Sequence, residues 1–223
     1  MIKACLFDLD GTLLDTITTI THFCNLALGE YGILPIECEE CKLFVGNGAR
    51  KLVERMLKSK NAYSKEVFDR VYNCYMNAYD ANPTHLTEPY EGIVDMLKAL
   101  KERGIKVGVI SNKPDYAAKS VCAQKLPTEL IDSSQGQVEG VPIKPDVSGP
   151  MQVLEKLGAL PQETIYIGDS GVDMQTGKNL GSFTVGVSWG FRTVEELKEN
   201  GADRIVNKPM EIIEIADELN GIL

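Results

Sequence analysis

The feature that most constrains this chain is the segment Phe7-Asp8-Leu9-Asp10-Gly11-Thr12, which continues a short apolar run that begins at Ala4. The apolar run predicts a buried strand, and the acids and the glycine predict where it ends. Side chains two residues apart point the same way along a strand, so Asp8 and Asp10 are expected to lie side by side. Adjacent carboxylates repel each other, and Mg²⁺ is usually held by one or two carboxylates together with phosphate oxygens. The segment therefore predicts either a site for a divalent cation or an ordinary Asp-Gly turn.

Length and composition indicate a soluble globular protein. The chain has 223 residues, of which 43% are hydrophobic and 25% are charged, and this allows one large domain or a core with a smaller inserted domain. The first acid, Asp8, comes before the apolar region of a signal peptide could form, and no apolar run approaches the length of a membrane span. We therefore expect a cytoplasmic protein without a membrane partner.

The net charge narrows the possible partners. A formal charge of -9 disfavours binding to nucleic acid, because affinity for the phosphate backbone depends on Lys and Arg. An anionic substrate would need a locally positive site, made from a metal ion, one or two lysines and helix N-termini. The predicted partner is a small molecule, and no pattern in the sequence indicates an oligomeric state.

The cysteines do not indicate a zinc or redox site. Cys38 and Cys41 form one C-x-x-C pair, but the chain has no second pair and only two histidines. A structural zinc ion takes four ligands, and a thioredoxin-like site has its own strand and helix setting. All six cysteines are therefore predicted to be reduced thiols.

The chain is predicted to hold two kinds of structure. Residues 16–82 show helical spacing of apolar residues, whereas strands and helices alternate from Tyr90 onward, which implies a parallel sheet. The predicted later strands are 106–110, 164–167, 183–187 and 204–206, and residues 129–141 are predicted to be irregular. The first strand must join these, because a lone strand is not stable. We predict an α/β fold with a Rossmann-like parallel sheet formed by residues 1–15 and 83–223, into which residues 16–82 are inserted as an all-helical cap domain.

Polar residues recur where the predicted strands end. Ser111 follows Ile110, Lys144 follows Ile143, which we take as another strand end, and the segment Gly168-Asp169-Ser170-Gly171-Val172-Asp173 follows Ile167. One polar strand end is commonplace, but a hydroxyl, a lysine and further carboxylates at successive ends indicate an active site. Because α/β sheets bind ligands at the carboxyl ends of their strands, the helical insertion is expected to cover this edge.

In order and spacing, four parts of the chain resemble the four motifs of the haloacid dehalogenase superfamily: Asp8-x-Asp10-Gly11-Thr12, Ser111, Lys144 and Gly168-Asp169-x-x-x-Asp173. The resemblance covers nearly the whole chain, since the helical insertion is similar to the C1-type cap of that family. Three segments also resemble the phosphoglycolate phosphatase-like branch of that superfamily. They are Ser111-Asn112-Lys113-Pro114, Gly46-Asn47-Gly48 and Ser188-Trp189-Gly190.

The resemblance implies a role for each acid. Asp8 would attack phosphorus and form an aspartyl-phosphate, and Asp10 would protonate the leaving oxygen and later take a proton from water. Mg²⁺ would be held by Asp8, the backbone carbonyl of Asp10 and Asp169. Asp173 is either a metal ligand through water or a partner of Lys144, and both alternatives stay open.

The phosphate-binding groups follow from the same resemblance. Ser111 and the backbone N–H of Asn112 would bind phosphoryl oxygens at a helix start. Lys144 would neutralise Asp8 and the transferring group, and Thr12 would steady the loop. Arg50 follows the glycine-flanked loop of the cap, and we predict that it contacts a substrate carboxylate.

The predicted function is Mg²⁺-dependent hydrolysis of a small phosphate monoester, with 2-phosphoglycolate as the first candidate. A pyrophosphatase or a broad sugar- or nucleotide-phosphate phosphatase on the same core is the alternative. Outside enzymes, the alternatives are a receiver-like signalling module, which needs no cap and no acid equivalent to Asp10, and a catalytically silent phosphate-binding homologue.

Overall fold

The computed structural model describes residues 1–222 and has a six-stranded parallel sheet at its centre. Its strands are β1 (Ala4–Phe7), β4 (Lys106–Pro114), β5 (Ser133–Gln137), β6 (Thr164–Gly168), β7 (Phe183–Val187) and β8 (Arg204–Val206). They lie in the order β5-β4-β1-β6-β7-β8, and every pair is parallel. The predicted α/β fold with a Rossmann-like parallel sheet is confirmed.

Helices cover both faces of the sheet, as parallel strands require when both of their faces are apolar. These helices are α5 (Ile93–Glu102), α6 (Asp115–Lys125), α7 (Ser148–Leu157), α8 (Gly171–Leu180), α9 (Val194–Glu199) and α10 (Glu211–Leu219). Short 3₁₀ turns span Thr128–Leu130 and Pro161–Glu163. The buried strand residues fall into two hydrophobic clusters, one around Phe7 and one around Tyr166. This alternation of strand and helix buries the central strands completely.

The register of the three central strands brings their carboxyl ends level. Phe7, the last residue of β1, lies opposite Val109 of β4 and Ile167 of β6. The residues that follow these three positions therefore meet at one edge of the sheet. This alignment is the reason why motifs that lie far apart in sequence can form one site.

The helical segment forms a layer of its own. It consists of α1 (Ile17–Gly29), α2 (Cys38–Phe44), α3 (Gly48–Ser59) and α4 (Lys65–Ala81). Their apolar faces pack into a separate hydrophobic cluster that includes Cys24, Met56 and Val71. The two-stranded antiparallel pair of β2 (Leu14–Asp15) and β3 (Glu88–Pro89) joins the chain where it leaves and re-enters the core. Both features support the predicted cap of residues 16–82, and its boundaries stay a prediction.

Two expectations about strands were wrong. Residues 129–141 were expected to be irregular, but Ser133–Gln137 forms the edge strand β5. This strand has no apolar alternation, and a Cβ on its Gly136 would lie 2.4 Å from the carbonyl oxygen of Lys113, so close backbone packing takes the place of side-chain packing. The predicted strand end at Ile143 is also wrong, because Ile143 and Lys144 lie in the loop between β5 and α7.

Within residues 1–222 the helices are too short or too polar for any of them to cross a lipid bilayer.

Candidate active site

The carboxyl edge of the sheet brings two of the predicted acids together around one buried lysine. The ammonium nitrogen Nζ of Lys144 lies 2.7 Å from Oδ1 of Asp8 and 2.8 Å from Oδ1 of Asp173. It also donates to the carbonyl oxygen of Ile110 at 3.3 Å. Lys144 is 4% exposed, so these three partners replace its water.

The position of Lys144 depends on Asn112. The backbone N–H of Lys144 donates to Oδ1 of Asn112 at 2.9 Å, and Nδ2 of Asn112 donates to the backbone carbonyl of Lys144 at 3.3 Å. Nδ2 also donates to the carbonyl of Gly46 in the cap at 2.9 Å. Asn112 was predicted as a phosphate ligand through its backbone, and the structure adds a second task for its side chain, which aligns the lysine loop with the sheet.

Asp173 is held by the start of helix α8. Ser170 is the N-cap: its Oγ accepts from the backbone N–H of Asp173 at 3.3 Å and donates to Oδ2 of Asp173 at 2.6 Å. The backbone N–H of Ser170 donates to the same Oδ2 at 3.2 Å, which completes a capping box. The helix begins at Gly171. Asp173 thus contacts Lys144 with one oxygen and the N-cap residue Ser170 with the other. This arrangement supports its predicted role as the partner of Lys144.

Asp169 sits in a space that two glycines leave open. A Cβ on Gly11 would lie 2.3 Å from Oδ2 of Asp169, and a Cβ on Gly190 would lie 2.2 Å from its Cβ. The backbone N–H of Phe191 donates to Oδ2 at 2.7 Å, and Thr12 Oγ1 donates to Oδ1 at 3.3 Å. Thr12 therefore contacts Asp169, and the Ser188-Trp189-Gly190 segment, which sequence reasoning left without a role, permits the close approach.

The carboxylates carry more negative charge than their one lysine balances. Oxygen atoms of Asp8, Asp169 and Asp173 lie within 4.8 Å of one another, and all three residues are buried. Burial and then repulsion by Asp173 raise the pKa of Asp169 to about 7, and the same two causes raise the pKa of Asp8 well above its usual range. Burial alone would lower the pKa of Lys144, but Asp173 and Asp8 raise it well above its usual range. A divalent cation would balance the two carboxylates in excess, and an all-oxygen donor set suits Mg²⁺.

Asp10 has a partner that sequence reasoning missed. The ammonium of Lys113 lies 2.9 Å from Oδ1 and 2.8 Å from Oδ2 of Asp10. Lys113 is buried, and its Nζ also lies 5.1 Å from the ring centroid of Tyr79. Lys113 belongs to the segment 111–114 that resembles the phosphoglycolate phosphatase-like branch. It lies two residues after Ser111 on the extended end of β4, and this spacing could have indicated that Lys113 points to the same side as Ser111. Because β4 continues to Pro114, Ser111 precedes the start of helix α6 by several residues and does not lie at a helix start as predicted.

Arg50 does not reach the site. Its guanidinium carbon lies 5.0 Å from the ring centroids of Phe68 and Tyr72, on an exposed face of the cap, and Arg50 is not among the residues that line the cavity. The prediction that Arg50 contacts a substrate carboxylate therefore finds no support in the structure. The arginine that does line the cavity is Arg192, which sequence reasoning did not single out.

A cavity opens between the cap and the edge of the sheet. It is open to solvent, and its empty volume is about 750 Å³ when the solvent at its mouth is included. Its floor includes Asp8, Asp10, Ser111 and Lys144, and its roof comes from α1, α3, α4 and the Gly46–Gly48 loop. A small molecule in this cavity would place one end against the carboxylates and the other against the cap.

A family model supports the interpretation of these motifs. The model of the haloacid dehalogenase-like hydrolases matches residues 5–187. This range contains every residue that the sequence analysis placed at the site.

Several phosphatases and one solved structure are similar to this chain along almost its whole length. Phosphoglycolate phosphatase of Aquifex aeolicus is 29% identical, and the match covers 96% of this chain and 97% of the relative. Pyrophosphatase PpaX of Bacillus mycoides is 27% identical, with 99% of each chain covered. A solved structure from Lactobacillus delbrueckii, provisionally named a phosphoglycolate phosphatase, is 30% identical with a TM-score of 0.91 and covers 96% of this chain and 98% of its own.

Proposed function

The chain belongs to the haloacid dehalogenase-like hydrolase family and is a phosphatase, and we propose that it is a Mg²⁺-dependent phosphomonoester hydrolase that acts through an aspartyl-phosphate on a small phosphorylated metabolite. The observation that carries this proposal is the pairing of two acids with two different lysines. Asp8 pairs with Lys144 at 2.7 Å, and Asp10 pairs with Lys113 at 2.8 Å. Two acids in separate environments can divide nucleophilic and proton-transfer work between them.

In the first step an oxygen of Asp8 attacks phosphorus, and the bond between phosphorus and the leaving oxygen breaks. Lys144 contacts Oδ1 of Asp8, so its charge would offset the repulsion between this carboxylate and the incoming phosphoryl group. The leaving oxygen takes the proton that Asp10 carries. Ser111 and Asn112 line the same cavity as Asp8, and the Ser111 hydroxyl and the backbone N–H of Asn112 would bind the phosphoryl oxygens.

In the second step water attacks phosphorus and the acyl-phosphate bond breaks. Asp10 accepts the proton of the water, the electron pair of the broken bond returns to Asp8, and inorganic phosphate leaves. Lys113 contacts both oxygens of Asp10 and so fixes the position of this carboxylate in the cavity. When bound by Asp8, Asp169 and the carbonyl of Asp10, Mg²⁺ would neutralise charge that develops on the phosphoryl group.

The direct test is phosphate release from p-nitrophenyl phosphate, simple alkyl phosphates and pyrophosphate in the presence of Mg²⁺. We expect catalytic turnover of the monoesters, because the site holds a nucleophile, an acid and phosphate-binding groups in one cavity. Turnover of pyrophosphate alone would favour the activity for which the Bacillus mycoides relative is named. Phosphate binding without turnover would contradict the proposal and favour a silent or receiver-like module.

Asp10→Asn is expected to slow turnover by about 10²–10⁴-fold, because the amide cannot transfer the protons while Asp8 can still attack. Leaving groups of low pKa, such as p-nitrophenol, should lose least in the first step. Rapid-quench assays with radiolabelled substrate should therefore show an accumulated phosphoenzyme. The variant also leaves the ammonium of Lys113 without its buried counter-ion, so its thermal unfolding should be measured and the assays run well below the midpoint. Unchanged turnover would remove Asp10 from the mechanism.

Gly190→Ala is expected to lower kcat/KM by about 10²-fold, because the new Cβ would displace Asp169 from its place. The matched control is Gly29→Ala, since Gly29 ends helix α1 and a Cβ there meets no atom within 4 Å. Steady-state kinetics of both variants provide the measurement. Equal activity in the two variants would show that the position of Asp169 does not matter for turnover.

A further inference from the structure

The cavity leaves no unpartnered cation on the side where the leaving group of a substrate would lie. Three cationic side chains line the cavity. Lys144 pairs with Asp8 and Asp173, and Lys113 pairs with both oxygens of Asp10. Within the described chain, these two ammonium groups are therefore already committed to buried carboxylates.

The third cation, Arg192, is committed to the cap. Its two terminal nitrogens donate to the carbonyl oxygens of Lys42 and Val45, the latter at 2.8 Å, at the end of helix α2. Its Nε lies 3.6 Å from a carboxylate oxygen of Glu196. A substrate carboxylate would have to displace these partners before it could pair with Arg192.

The roof of the cavity is apolar. Helices α1, α3 and α4 supply aliphatic and aromatic side chains to it, and the residue Phe191 adds a further ring from the core side. The aliphatic and aromatic cap side chains that line the cavity are Ile20, Val45, Ala49, Leu52, Tyr75, Met76 and Tyr79. A leaving group with an apolar or aromatic face would remove this surface from water, at a gain of about 25 cal/mol for each Å² buried.

A charged leaving group would meet the opposite conditions. A carboxylate under this roof would lose its water without an unpartnered cation to replace it. Amide and hydroxyl groups carry no such penalty when one hydrogen bond is available.

Resting on the proposed phosphatase activity, we propose that this cavity selects phosphate monoesters of neutral alcohols with an apolar or aromatic face, and that it disfavours esters that carry a second anionic group, such as 2-phosphoglycolate. The expectation of 2-phosphoglycolate came from the family resemblance, and Arg50, the residue predicted to contact its carboxylate, lies outside the cavity lining. The preference for neutral leaving groups therefore has two causes: the cap side chains present an apolar surface, and none of the cations that line the cavity is free.

The test compares three esters of primary alcohols, so that the chemistry of the leaving oxygen stays similar. They are benzyl phosphate, ethyl phosphate and 2-phosphoglycolate, with inorganic phosphate release as the common readout. We expect kcat/KM for benzyl phosphate to exceed that for 2-phosphoglycolate by at least about 10-fold, with ethyl phosphate between them. A preference for 2-phosphoglycolate over both neutral esters would overturn the inference and leave the proposed phosphatase activity intact. No release from any of the three would contradict the proposed function itself, and the inference with it.

A charge placed in the roof should reverse the preference. Met76 lines the cavity and is partly exposed, so a lysine there can keep its ammonium group hydrated. Met76→Lys is expected to raise kcat/KM for 2-phosphoglycolate relative to ethyl phosphate by about 10-fold and to lower it for benzyl phosphate. The control is Met151→Lys, which places the same charge on helix α7, where Met151 is 44% exposed and outside the cavity lining. Equal effects of the two variants on all three esters would show that the cap wall does not select the leaving group.

Discussion

Replacing Asp8 with asparagine is expected to abolish catalytic turnover, with a loss of kcat of at least about 10⁴-fold. The amide nitrogen and oxygen of asparagine cannot form the acyl-phosphate, and no other carboxylate of the described chain lies in the same relation to Lys144 and the cavity. The measurement is phosphate release under saturating substrate and Mg²⁺, together with trapping of a covalent phosphoenzyme. Beryllium fluoride, which mimics a phosphoryl group on an aspartate, should bind the unmodified protein and fail to bind this variant.

Stability separates this loss of chemistry from a loss of fold. Asp8 lies with Asp169 and Asp173 in one buried cluster, so its replacement removes repulsion from the metal-free protein. The thermal midpoint of the metal-free variant should therefore equal or exceed that of the unmodified protein. Asp95→Asn is the matched control, because its side chain is 78% exposed on helix α5, and it should leave turnover unchanged. Near-normal turnover of Asp8→Asn would end the nucleophile assignment.

Removal of divalent cations is expected to have an effect of similar size. Excess EDTA should eliminate turnover, and added Mg²⁺ should restore it, because Lys144 alone leaves two carboxylates of the cluster unbalanced. Ca²⁺ should support turnover poorly, since it takes more ligands at longer distances than Mg²⁺ does. Full turnover in excess EDTA would contradict the metal-dependent mechanism.

Binding of the metal can be followed without turnover. A ligand that binds only the folded protein stabilises it by RT ln(1 + [L]/Kd), which is about 2.7 kcal/mol at a hundred times Kd. Mg²⁺ should therefore raise the thermal midpoint of the unmodified protein. Asp169→Asn should lose this shift, because Asp169 supplies a predicted ligand oxygen, whereas the surface variant Asp95→Asn should keep it. A full shift in Asp169→Asn would place the cation elsewhere.

The helical cap illustrates which parts of the fold local patterns could predict. Helical spacing over residues 16–82 predicted helices there, and four helices lie within Ile17–Ala81. The central strands were predictable because both of their faces are buried, so they consist of continuous apolar runs. The edge strand Ser133–Gln137 was not predictable in this way, because backbone pairing with β4 holds its polar and glycine residues in place.

For the candidate site, the sequence by itself determined which groups are present. They stand at recognisable spacings and are the carboxylates of Asp8, Asp10, Asp169 and Asp173, the hydroxyl of Ser111 and the ammonium group of Lys144. It also determined the local devices that hold them, such as the Ser170 cap of helix α8, because a capping box acts within one turn.

Only the tertiary structure decided which charges pair. Asp10 and Lys113 are 103 residues apart, and Asp8 and Lys144 are 136 apart, so no local pattern links them, and only the family resemblance anticipated the second pair. The same holds for the cap: Arg50 lies against two aromatic rings, whereas Arg192 reaches across to helix α2. A cation near a cavity can bind a substrate anion only when it is not already paired with another group of the protein. Whether it is paired depends on contacts between distant segments, which form when the cap packs over the edge of the sheet.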